Sequence, residues 1–76
     1  MNKMEEDFKI RQYSKKDLAL LYFPESLPRT AVNRLRAWIK LCKPLWNLLC
    51  EAGYKPSSKS FTPRQVKAIV EYLGEP

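Results

Sequence analysis

Arg29, Asn33, Arg36, Lys40 and Lys43 recur at intervals of three and four residues, the spacing that gathers side chains on one side of an α-helix. Their types suit one kind of chemistry. An arginine fork pairs with the two acceptors on guanine's major-groove edge, an asparagine amide pairs with adenine, and a lysine ammonium neutralises phosphate. Over a helix expected from Pro28 or Arg29 to about Cys42, the residues Ala31, Leu35, Trp38, Ile39 and Cys42 fall within about 100° of one another, a core stripe. The five polar residues occupy a similar arc opposite, and no acidic residue interrupts them. Upstream, Lys15 and Lys16 stand in the first turn of another expected helix, where they suit phosphate contacts beside the first set.

Catalytic chemistry lacks its usual parts. The chain has no histidine, and its two glycines sit at expected helix ends rather than in a phosphate-binding loop. Ser14 and Thr62 have no base beside them and read as helix caps, and Asp17 reads as a first-turn carboxylate. No enzyme, cofactor or small-molecule substrate is expected. Cys42 and Cys50, eight residues apart, lie about 12 Å apart if both sit on helical backbone, too far for a disulfide. Without CxxC spacing or histidine they make no metal site, so buried free thiols are the expectation.

The elements that position these residues are marked by their entrances. "YSKKDLALLYF" (Tyr13–Phe23) and "FTPRQVKAIVEYL" (Phe61–Leu73) each begin aromatic, hydroxyl, then Asp or Gln three residues after the hydroxyl. This is a hydrophobic staple, an N-cap and a capping residue at N3. The first copy predicts a helix ending at or before Phe23, because Pro24 follows, with Leu18, Leu21 and Tyr22 on one face. "PESLP" is a rigid turn into the basic helix. Pro44 opens a third helix, "PLWNLLCEA", with Leu45, Leu48, Leu49 and Ala52 inward, and Gly53 stops it. The second copy predicts a fourth helix with Val66, Ile69, Val70 and Leu73 inward. Short extended segments, about Phe8–Gln12 and Lys59–Phe61, precede the two capped helices and are expected to pair as a ribbon. The third and fourth helices are expected to pack across the Trp38 face of the second.

At 76 residues with 45% hydrophobic content, one packed domain is expected, residues 8–76, behind a flexible acidic tail at 1–7. No apolar run is long enough to span a membrane and no secretion signal begins the chain, which implies the cytoplasm. The net charge of +6 is concentrated. Residues 1–7 sum to −2, residues 8–47 carry nine basic against two acidic residues, and residues 48–76 sum to +1. That asymmetry favours an anionic partner, double-stranded DNA foremost. A second reading is a protein-interaction or homodimerisation module without nucleic acid. In it the large rings of Trp46, Tyr22 and Phe23 form an interface, with Trp46 as its anchor.

"FKIRQYSKKDLALLYFP", "LRAWIKLC", "AGY" and "FTPRQVKAIVEYLGEP" together resemble the family of short bacterial proteins known as Domain of Unknown Function 4248, a family with no assigned activity. "YSKKDLALLY" followed by "LRAWIK" is also similar to the first two helices of MerR-like and excisionase winged-helix domains, regulators of transcription and mobile elements. "KSFTPRQVKAI" resembles the strand and helix that follow their wing. That resemblance implies a groove-facing set of Arg29, Asn33, Arg34 and Arg36, with Lys55 and Lys59 on a wing. "FPESLPRT" is longer than the tight turn of those domains, and the third helix stands where their wing strands begin. The resulting expectation is a mainly α, small winged-helix-like domain of about four helices with a two-stranded β ribbon.

Overall fold

The computed structural model describes residues 8–76; the acidic segment expected as a tail lies outside the described residues. The order is strand β1 (Tyr13–Ser14), helices α1 (Lys15–Tyr22), α2 (Pro28–Leu41) and α3 (Lys43–Glu51), strand β2 (Ser60–Phe61) and helix α4 (Pro63–Leu73). Four helices and a two-stranded antiparallel ribbon make the fold mainly α, as the entrance signals predict.

Both repeated entrances form. Ser14 Oγ accepts from the Asp17 amide at 3.0 Å, starting α1. At α4 the reciprocal box closes: Thr62 Oγ1 accepts from the Gln65 amide, and Gln65 Oε1 accepts from the Thr62 amide. The staple residues Tyr13 and Phe61 and their partners Leu18 and Val66 are all buried. The end of α3 is equally legible. Gly53 takes φ of 86°, its amide donates to Cys50 O, and the Tyr54 amide donates to Leu49 O. These are the two bonds of a Schellman stop, which needs a residue tolerant of the left-handed region.

The ribbon is where the expectation needs correction. It pairs Tyr13 with Phe61 and Ser14 with Ser60, and the Lys15 amide continues it to Lys59 O at 3.0 Å. Residues 8–12 are not a strand. The Phe8 ring stacks on Tyr13 at 5.4 Å, and the Tyr13 hydroxyl donates back to Lys9 O at 2.9 Å. The segment therefore folds over its own aromatic residue, and the alternation of Phe8 and Ile10 reflects that cover, with Ile10 exposed.

A single cluster of buried side chains draws on every element, from Tyr13 through Leu18, Leu35, Leu45 and Phe61 to Ile69. Each fully buried aliphatic or aromatic side chain contributes about 1.5–3 kcal/mol of transfer free energy. Helix α1 packs on α2, α2 on α3, and α3 on α4. The fourth helix also meets β2, so α3 and the ribbon, rather than the Trp38 face of α2, receive it. The margins of the predicted stripes differ too. Leu21, Trp38 and Leu48 are half-exposed, while Ala19 is buried instead. Cys42 is only partly buried and Cys50 is exposed, which corrects the expectation of two buried thiols. Cys50 lies on the outer side of α3 because Leu45 and Leu49 fix which side faces in. Among the described residues, no helix is long and apolar enough to cross a membrane.

Two polar fastenings hold the far side. Gln65 is buried, and its Nε2 donates to Ala52 O at 2.9 Å, tying the start of α4 to the end of α3. The Tyr22 hydroxyl donates to Gly74 O at 2.5 Å, tying α1 to the end of α4.

Candidate nucleic-acid interface

Helix α2 owes its boundaries to prolines. Pro28 stands at N1, where its missing amide costs nothing, and the Ala31 amide donates to Leu27 O at 2.8 Å. At the far end Pro44 has no amide to continue the ladder. The break falls at Cys42, whose amide reaches Trp38 O and Ile39 O while its carbonyl accepts from the Trp46 amide. Lys43 consequently begins α3 and does not extend the face of α2.

Ala31, Leu35 and Ile39 are the buried residues of α2, and this one stripe fixes its rotation. Arg29, Asn33, Arg36 and Lys40 are then all exposed, within about 60° of one another at 3.6 residues per turn. Lys40 also sits in the last turn, where a cation is favoured by the helix dipole. The face is free of carboxylates from its own helix.

Not every expected cation joins it. Arg34 lies about 130° round the axis from the middle of that arc. Its Nη1 donates to Ser26 Oγ at 3.1 Å and its guanidinium covers the Phe23 ring at 4.8 Å. Arg34 thus braces the turn between α1 and α2. Lys16 is exposed on the first turn of α1. Lys15 is drawn inward: its Nζ donates to Pro56 O at 2.9 Å and lies 4.8 Å from the Tyr54 ring centroid. Lys55 and Lys59 are both exposed on the connector between α3 and β2. There the Ser58 amide donates to Lys55 O at 2.9 Å, a tight turn in place of a hairpin.

The expected interface rings are also committed. Tyr22 and Phe23 both pack edge-on against Trp38, at 6.5 and 4.7 Å. Burial, and then the nearby Glu75 charge, push the Tyr22 hydroxyl up to about 12. Trp46 is half-buried and edge-on to Tyr54 at 5.9 Å, and Tyr54 stacks on Phe61 at 5.5 Å. Lys40 Nζ lies 6.0 Å from the Trp46 centroid. Sequence spacing gives no hint that Lys15 reaches Tyr54 and Pro56, because those contacts are made across the fold.

A second cationic place lies elsewhere. Lys9 and Arg11 border an open basin of about 460 Å³ that also touches Phe8, Tyr13, Leu21 and Glu75. Arg11 sits over the Tyr13 ring at 4.2 Å. Among the described residues, no three His, Cys, Asp or Glu side chains gather as a metal site requires.

A family model described as Domain of unknown function (DUF4248) matches residues 9–76. No curated protein and no solved structure matches this chain.

Proposed function

We propose, for a chain that belongs to the DUF4248 family, that it binds double-stranded DNA through the exposed face of α2. The observation carrying this reading is that Arg29, Asn33, Arg36 and Lys40 share one exposed face of a helix whose opposite side is locked into the core. Arginine and asparagine at that spacing suit base edges in a major groove, and Lys40 and the exposed Lys16 suit phosphates. The role is binding rather than catalysis, performed in the cytoplasm as a regulator of transcription or of a mobile element. In this reading the domain is winged-helix-like in its use of parts. Helix α1 supports α2, and the turn at Lys55–Ser58 takes the place of the wing and presents Lys55 and Lys59.

Fluorescence anisotropy of a labelled mixed-sequence duplex tests the reading. Replacing Arg29, Arg36 and Lys40 by glutamate lowers the formal charge from +6 to zero and is expected to abolish binding. A control carrying Lys9→Glu, Arg64→Glu and Lys67→Glu makes the same charge change at exposed positions off the face, and it is expected to retain most of the affinity. Equal losses in both triples would mean that only net charge matters, which contradicts a defined face.

Self-association is the second reading, favoured by a different surface from the one the sequence suggests. Leu27, at the N-cap of α2, is 74% exposed and Leu41, at its end, 81%, and Trp38, one turn before Leu41, is half-exposed. Sedimentation of wild type against Leu41→Ser decides it. A dimer that dissociates on substitution supports the reading, and a monomer in both removes it.

A further inference from the structure

Two shallow depressions flank Arg36. One is lined by Arg36, Ile39, Lys40, Trp46, Tyr54 and Pro56. The other is lined by Lys15, Val32, Leu35, Arg36 and Phe61. Arg36 borders both, and Lys15, which lines the second, contacts the Tyr54 and Pro56 that line the first, so the two adjoin as one shallow trough along α2. It is bordered by the aromatic row Trp46, Tyr54 and Phe61, and two of these rings carry an ammonium: Lys40 over Trp46 and Lys15 over Tyr54.

This construction favours phosphate over other occupants. The depression beside Trp46 offers about 10 Å³, room for roughly one water, so no flipped base enters it. Lys15 uses one of its three donors on Pro56 O and has two to spare. Lys15, Arg36 and Lys40 along one groove match a chain of phosphodiesters better than a single compact anion does.

We propose that this trough carries one strand's phosphate backbone, with Lys15, Arg36 and Lys40 as its contacts, leaving Arg29 and Asn33 for base edges. The assignment rests on the DNA reading above and deepens it, since it divides the cations of that face into positioning and reading groups. It also recruits Lys15, which lies off α2, and excludes Arg34, which faces the other flank.

The test is the slope of log affinity against log salt, measured by duplex anisotropy for the full chain and for Arg36→Met, Lys40→Met, Lys40→Arg and Arg34→Met. Each true phosphate contact contributes a slope of about 0.9. The slope is expected to flatten by about that amount in Arg36→Met and in Lys40→Met, and to stay at the wild-type value in Lys40→Arg and Arg34→Met. All three positions are exposed apart from the ring contacts named, and circular dichroism checks that the helices persist. Salt-dependent binding whose slope is untouched by Arg36→Met and Lys40→Met overturns the trough while leaving the DNA reading intact. Absence of any salt-dependent binding by the wild type overturns both.

Discussion

Gln65 offers a stringent check on the packing that positions the interface. It is 3% exposed, and its side chain serves two elements at once. Oε1 accepts from the Thr62 amide at 3.0 Å and Nε2 donates to Ala52 O at 2.9 Å. In Gln65→Ala both bonds vanish, at about 0.5–1.5 kcal/mol each. The apolar stem also goes, at about 0.8 kcal/mol per buried methylene. The expected loss is about 2–4 kcal/mol. For a chain of this size that lowers Tm by roughly 8–30 °C. Urea unfolding followed by tryptophan emission measures it. A second substitution separates hydrogen bonding from volume. Gln65→Glu keeps the acceptor for Thr62 but aims a carboxylate at the Ala52 carbonyl. Burial beside that oxygen raises the folded-state pKa above the ordinary carboxylate value. The protonated acid donates as the amide did, so Gln65→Glu is expected to approach wild-type stability at low pH. It loses that stability as pH rises through the folded-state pKa. A Gln65→Ala protein within about 0.5 kcal/mol of wild type, or a Gln65→Glu protein whose deficit does not grow with pH, would refute the reasoning.

Three further outcomes follow from the same geometry. Gly53→Ala meets no neighbour within 4 Å, so its cost comes only from φ of 86° and is expected at about 1–2 kcal/mol by urea unfolding. The Tyr22 hydroxyl, pushed up to about 12, favours its protonated form in the folded chain. The stability this gives is present below the ordinary value of about 10 and is lost as pH rises from there towards 12. Ultraviolet titration should place one phenol above the others, and Tyr22→Phe should remove it. Leu35→Ala, at a position 2% exposed under the basic face, is expected to destabilise by about 2–5 kcal/mol. Isothermal duplex binding below the melting temperature should survive it, since Leu35 is almost wholly buried and supplies none of the proposed contacts.

The parts of the fold governed by local chemistry could be read from the sequence. Ser14, Thr62, Gln65, the prolines at 24, 28 and 44, and Gly53 act within one turn of themselves, and each starts or stops a helix where its type demands. The stripe of Ala31, Leu35 and Ile39 was equally readable because three residues agree on one direction. The misjudged positions are those at stripe edges. Trp38 lies between Tyr22 and Phe23 on one side and solvent on the other, and periodicity assigns no depth to such a place. The ribbon was displaced because Tyr13 works both as staple and as strand, and its hydroxyl recruits Lys9. At the candidate interface, the shared exposed face of Arg29, Asn33, Arg36 and Lys40 was legible from spacing alone, whereas Lys43 begins α3 instead of extending it. The different fates of Lys15 and Arg34 were not, because each is decided by a partner distant in sequence or across a turn: Pro56 and Tyr54 for one, Ser26 and Phe23 for the other.

Chemical-shift mapping during a duplex titration addresses the central claim most directly. Amides of residues 29–40 on the outer side of α2, the Asn33 side-chain amide and the Arg36 guanidinium should move together and saturate together, while the buried amides of Leu18 and Ile69 stay still. Shifts gathered around Lys9, Arg11 and Glu75 instead, or no shifts at low salt, would contradict it.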